Sequence, residues 1–275
     1  MENELSVDDL ASQISDGATI AIPAEQSLTP MALVRALVRR GVRDLHVLCV
    51  PIGGLAVDVL IGAGCVHTVE CAAVSLGEFG LAPRFSDAVE NGSIIIKDST
   101  CPAIHSALQA SEKGVPFMPL SGLIGSDILA SRNDWKIVDD PMEQGNGPIV
   151  LLPAIRPDFA LIHSLIADRN GNTWIGRRRE LVALAHAAKT TLATAESISE
   201  ETLIETPHLA AGSISGLYIS GIAEARLGAW PVGLPGTYNP DRDLYEKYAR
   251  QAQTQEGFDA FLNEFLIKGI SEAAK

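Results

Sequence analysis

The chain has 275 residues, 47% of them hydrophobic, with 34 acidic residues against 21 Lys and Arg and a formal net charge of −13. That length supplies a large hydrophobic core without disulfide or metal staples, and the charge argues against nucleic acid or an anionic membrane surface as the main partner. No apolar run approaches the ~20 residues that span a bilayer, and the acidic start (Glu2, Glu4, Asp8, Asp9) lacks a signal-peptide pattern, so a cytoplasmic protein is expected.

Between Ser6 and Ser15, the apolar residues Val7, Leu10, Ala11 and Ile14 make a helical stripe, with Ser6 as N-cap and Asp9 three residues on. Gly17 ends that helix, and Ala18 to Ile22 reads as a strand. Thr29-Pro30 opens a helix running to Arg40, with Thr as N-cap and Pro at the first helical position, and Gly41 closes it. The alternation then continues. Asp44 to Val50 is a strand, Leu55 to Ala63 a helix, Val66 to Ala73 a strand and Pro83 to Glu90 a helix. Ser93 to Lys97 is a strand, Cys101 to Lys113 a helix and Phe117 to Leu120 a strand. Asp127 to Asn146 is polar, with Trp135, Pro141 and Gly145-Asn146-Gly147, and reads as an insertion or loop. Ile149 to Leu152 and Phe159 to Ile166 are continuously apolar, the pattern of strands buried on both faces. Pro153 and Pro157 keep the link between them out of helix, and Asn170-Gly171 supplies a tight turn. From Asp241 onward, Leu244, Tyr248, Phe258, Phe261, Leu262 and Phe265 punctuate a charged, amphipathic pattern. This predicts a single α/β domain over residues 1–240 and a C-terminal helical arm over 241–275. Short links between alternating strands and helices predict an open, mainly parallel sheet with helices on both faces, binding ligands at the carboxyl ends of its strands.

Cys49, Cys65, Cys71 and Cys101 have no CxxC spacing and read as reduced thiols packed as small hydrophobes. Cys65, His67 and Cys71 lack the second pair that zinc spacing requires.

Several segments together carry a resemblance. They are Asp16-Gly17-Ala18-Thr19-Ile20, Pro30 to Leu37, Gly53-Gly54 with Ile61 to Gly64, Phe79 to Phe85, Gly125 to Leu129, Ile149 to Trp174, and Ala187-Ala188-Lys189. In order and spacing the chain resembles, from about residue 16 to 196, the A (α) subunit of the family I CoA-transferases, the class of glutaconate and 3-oxoacid CoA-transferases. The resemblance implies a CoA-transferase/NagB-like fold, coenzyme A and a small carboxylic acid as substrates, no permanently bound cofactor or metal, and a β-subunit partner in an αβ or α2β2 assembly. The family's nucleophile is a Glu carboxylate that forms an anhydride and then a glutamyl-CoA thioester. In two-chain relatives it lies in the B subunit, so no catalytic residue is expected in this chain.

Glu90-Asn91-Gly92 looks like the motif around that nucleophile, but Asn-Gly is also a helix stop and a strand follows at once. Glu25, with Gln26 and Ser27, follows the first strand, where backbone N–H groups gather anions; these three are taken as substrate-binding, with a surface loop as the alternative. Relatives usually have a Gly-rich turn here, a departure that bears on the substrate. Ser75 and Glu78 follow the third strand and match the family's polar acyl-pocket residues, or form a turn with a solvent-facing carboxylate. Gly53 and Gly54 occupy the turn after the second strand, although any tight turn can use two glycines. Cys101-Pro102 stands where many relatives carry an acidic residue followed by Gly, which counts against a ring-opening hydrolase. Arg177-Arg178-Arg179 reads as a solvated run, or as a patch for an acidic substrate or the CoA nucleotide. His163 reads as a satisfied core histidine. The alternatives to a transferase are a hydrolase or lyase acting on a CoA thioester, and a non-catalytic ligand-binding protein of the same fold.

Overall fold

The structure is a computed structural model describing residues 5–142 and 147–273. Glu2 and Glu4 of the acidic start, and Gly145-Asn146 of the polar stretch, lie outside the described residues. The strands are β1 Thr19–Pro23, β2 Leu45–Val50, β3 Ile52–Gly53, β4 Val66–Cys71, β5 Ala73–Val74, β6 Ile95–Asp98, β7 Phe117–Leu120, β8 Lys136–Val138, β9 Ile149–Pro153, β10 Phe159–Asp168, β11 Thr173–Trp174, β12 Thr190–Ser199, β13 Ser213–Ile214 and β14 Gly221–Glu224. The helices are α1 Val7–Ser12, α2 Met31–Arg40, α3 Leu55–Gly62, α4 Pro83–Glu90, α5 Cys101–Glu112, α6 Ile128–Ser131, α7 Glu180–Ala187, α8 Pro207–Ala210, α9 Arg242–Gln251 and α10 Gln255–Ala273.

Seven strands pair in parallel in the order β6-β4-β2-β1-β10-β12-β14, and β11 and β13 extend the sheet antiparallel from β10. The chain winds outward from β1 through β2, β4 and β6, then returns to the other side of β1 as β10. The winding direction therefore reverses between β1 and β10, and in such sheets a crevice opens at the carboxyl ends of the strands flanking that point. Strand alternation divides the core in two. Ile20, Ile22, Val47, Cys49, Val69 and Cys71 pack with α1 to α4, α9 and α10, while Ala21, Leu48, Val50 and Ala160 pack with α5 and α7. Helices thus cover both faces of a mainly parallel sheet, as the alternation predicts. Among the described residues, no helix is long and apolar enough to cross a membrane.

Several expectations need correction. Phe117 to Leu120 and Ile149 to Leu152 do not join the parallel sheet; β7 and β9 pair antiparallel in a separate three-stranded sheet, β7-β9-β8. Only one face of β9 is covered. Val150 and Leu152 pack on Leu123 and Trp135, whereas Ile149 and Leu151 are half-buried, so a continuous apolar run here does not mean burial on both sides. The Asp127 to Asn146 stretch contains α6 and β8, too short at four and three residues for any periodicity to register. Thr29 does not cap α2. Its hydroxyl donates to the Ala24 carbonyl (3.3 Å), and Pro30 takes the cap position. Val66 to Ala73 breaks at Ala72 into β4 and β5. The Ser6–Asp9 capping box and the left-handed Gly41 cap form as read.

The C-terminal helices lie against the core, with Tyr248, Phe258, Phe261 and Phe265 at most 1% exposed. Asp58 of α3 ties them down. Its carboxylate accepts from the Tyr248 hydroxyl (2.6 Å) and from the Phe85 and Arg84 N–H groups at the start of α4 (2.6 and 3.3 Å).

Candidate active site

The turn after β1 is unusual in its backbone. Gln26 and Leu28 have φ of 58° and 64°, the left-handed region that non-glycine residues seldom adopt. Neighbours hold it there. The Leu28 carbonyl accepts from the His163 N–H (2.8 Å), the Gln26 carbonyl from Arg178 Nη2 (3.1 Å), and the Ala24 carbonyl from the Ser27 N–H (2.9 Å). Gln26 itself is exposed and Ser27 buried.

This conformation directs Glu25 inward. Its Oε2 accepts from the Leu55 N–H (3.0 Å) at the first turn of α3, and its Oε1 from the Tyr245 hydroxyl of α9. A helix N-terminus with an unsatisfied N–H is a natural seat for a carboxylate. Burial is nevertheless the larger influence and pushes the Glu25 pKa up to about 7, with the two donors opposing it. Gly54 is what leaves room, because a Cβ there would lie 1.7 Å from Glu25 Oε2. Gly53 serves another purpose. Its Cβ would lie 2.8 Å from Cys49 Sγ and 3.1 Å from Val57, so it lets the turn press against β2.

The turn after β5 is held mainly by its own atoms. Ser75 Oγ accepts from the Gly77 N–H (3.0 Å), and the Ser75 N–H donates to the Gly53 carbonyl (3.0 Å), joining this turn to the one after β2. Glu78 is exposed and paired with Arg242, at 2.6 and 3.3 Å from the two guanidinium nitrogens. That guanidinium lies 5.2 Å over the Phe79 ring, which stacks on Tyr245 at 4.7 Å between centroids. Arg242 and Tyr245 are three residues apart on one face of α9. The structure therefore gathers Glu25, Gly54 and Glu78 around a single helix of the C-terminal arm. Neither Arg242 nor Tyr245 was singled out from the sequence. Tyr245 sits beside Leu244 in the amphipathic arm, and an aromatic residue with a hydroxyl in a buried stripe was the available signal.

His163 is fully buried, with Nδ1 2.8 Å from Thr194 Oγ1 and Nε2 2.9 Å from Glu196 Oε1. Burial keeps its pKa below the ordinary value, and both ring nitrogens have partners, as a satisfied core histidine requires. Glu196 also accepts from Tyr238 and from the Leu227 and Gly228 N–H groups (2.6, 2.6 and 3.1 Å), anchoring the segment after β14. Within the arginine run, Arg178 touches the β1 turn, Arg179 donates to the Ala211 carbonyl (2.8 Å), and Arg177 is exposed. Cys101 and Pro102 begin α5 behind a Thr100 cap.

Glu90 is the exposed last residue of α4, followed by the Asn91 cap and Gly92 at φ 70°. Glu90→Ala is expected to change unfolding free energy by less than about 0.5 kcal/mol. Any turnover should be unaffected, and a tenfold loss without unfolding would make Glu90 functional.

The family model described as Coenzyme A transferase matches residues 5–224. The chain belongs to the coenzyme A transferase family. It is 29% identical over 280 residues to the A (α) chain of glutaconate CoA-transferase from Acidaminococcus fermentans, covering 94% of this chain and 86% of that one. It is 28% identical over 274 residues to the cholesterol ring-cleaving hydrolase IpdA subunit of Rhodococcus jostii, covering 96% and 92%. The crystal structure of the Acidaminococcus fermentans glutaconate coenzyme A-transferase superposes with a TM-score of 0.87 at 25% identity, covering 96% of this chain and 88% of that one. Both named relatives are subunits, and each aligns with this chain over nearly its whole length.

Proposed function

We propose that this chain is the α subunit of a heteromeric CoA-transferase that moves CoA between small carboxylic acids in the cytoplasm, in an αβ or α2β2 assembly. Coenzyme A is a substrate, and nothing is bound permanently. The nucleophilic carboxylate belongs to the β subunit. It attacks the acyl-CoA carbonyl and expels CoA thiolate to leave an acyl anhydride. The thiolate then attacks the glutamyl carbonyl, releasing the first acid and leaving a glutamyl-CoA thioester for the second acid to reverse the sequence.

One observation carries the division of labour. The two acidic candidates at the carboxyl edge are engaged by their own chain, Glu25 by the Leu55 N–H and Tyr245, Glu78 by Arg242. A covalent nucleophile needs its carboxylate presented freely to the acyl carbon. In this reading Glu25, Gln26, Ser27, Gly53, Gly54, Ser75 and Glu78 form the acyl-binding wall of the crevice.

The test is reconstitution. Alone, the purified chain should exchange no CoA between acids. With a β subunit it should do so, and borohydride trapping followed by mass spectrometry should place the glutamyl-CoA adduct on the partner. An adduct at Glu25, Glu78 or Glu90 would sink this assignment, and net thioester hydrolysis without exchange would favour the hydrolase reading.

A further inference from the structure

On the sheet face opposite α3 and α9 lies a cavity of about 220 Å3, enclosed by β2, β4 and β6, the first turn of α5, the segment after α6 and the end of β9. His46, Glu70 and Lys97 project into it from one face of the sheet, since Glu70 pairs directly with Lys97, and Thr68, two residues earlier on β4, pairs with His46.

Its charges do not cancel. Arg132 is buried and held by Asp134 through two bonds (2.8 and 2.9 Å) and by Glu70 (2.9 Å), with its guanidinium 4.2 Å over the Trp135 ring. Lys97 Nζ lies 3.5 and 3.6 Å from the same two carboxylates and offsets the second negative charge. Burial works against the Glu70 carboxylate, yet its basic neighbours hold its pKa below the ordinary value, so both carboxylates are ionised and spoken for. Arg156, exposed where it lines the cavity, is a third cation against two carboxylates and has no hydrogen bond or ion pair among the described residues. His46 Nε2 is also buried without a hydrogen-bond partner; Glu70 Oε2, 3.3 Å away, is not aligned to serve. A buried ring nitrogen without a well-aligned hydrogen bond and an unpaired guanidinium thus face one cavity, and both can donate to a negatively charged acceptor.

We propose that this cavity binds a small oxyanion, the chemistry shared by inorganic phosphate and short-chain carboxylates, at a site separate from the crevice beside Glu25. Bound there, the anion joins Arg156, three residues past β9, to Lys97 on β6 and His46 on β2, linking the segment that leaves the small antiparallel sheet to the main one. Calorimetric titration of the full-length chain with sodium phosphate and with sodium succinate, at ionic strength matched with sodium chloride, tests this. At least one of the two should bind with one-to-one stoichiometry, and which one identifies the source of the anion. Arg156→Ala, which removes no contact among the described residues, should bind it about tenfold more weakly, while Glu90→Ala, at the exposed end of α4, should bind it like the wild type. Absence of binding by either anion, unchanged affinity in Arg156→Ala, or loss of binding in Glu90→Ala would each overturn the proposal.

Discussion

Replacing Asp58 with Ala should cost about 3 to 5 kcal/mol of unfolding free energy. The side chain is fully buried, and three donors converge on it, the Tyr248 hydroxyl and the Phe85 and Arg84 N–H groups. Burial raises its pKa, and those donors oppose the rise. Truncation leaves a buried hydroxyl and the first N–H groups of α4 without their acceptor. The urea midpoint should fall with little change in slope. Asp58→Asn, which keeps one acceptor oxygen, should lose less. A loss below about 1 kcal/mol in the Ala variant would show that Asp58 does not fasten α9 to α3 and α4.

Glu25→Gln should flatten the dependence of stability on pH. The folded pKa of about 7 lies above the ordinary 4.5. Between those values the folded chain holds a proton that the unfolded chain has released, so stability falls as pH rises. The contribution of Glu25 is fully present below pH 4.5 and is lost as pH passes through 7. A gap of that size corresponds to roughly 3 kcal/mol. Gln keeps the shape and does not titrate, whereas carboxylates common to both proteins cancel in the comparison. Measured from acidic to mildly alkaline pH, the wild type should therefore lose roughly 3 kcal/mol relative to Glu25→Gln. Parallel curves would mean that the carboxylate is hydrated in the folded protein.

These effects also show what a linear reading reaches. The ends of α4 were legible because Pro83 and Asn91-Gly92 act within one turn of themselves. Ser6 with Asp9 was legible for the same reason. Strand partnership was not. β7 and β9 are composed like members of the parallel sheet, yet each finds an antiparallel neighbour, because pairing is settled by what lies alongside. At the candidate site, Glu25 could be placed at a strand's carboxyl end from its neighbours in sequence. Its donors, at sequence separations of 30 and 220 residues, left no local trace. The cavity beneath α5 was equally hidden, since Arg132 and Asp134 fall in a stretch whose elements are too short to announce themselves.

The embrace of the β1 turn by α9 orders events during synthesis. The hydroxyl that donates to Glu25 is made 220 residues after it, and Arg84 waits 168 residues for the Ala252 carbonyl. A nascent chain stalled before Tyr245 exposes both an unsatisfied acidic turn and the apolar surface that the last two helices cover. Contacts this distant slow folding, because the loop they close must form before they repay it. The carboxyl edge of the sheet can therefore take its final form only after α9 has been made, and a chain interrupted before it leaves that edge unfinished.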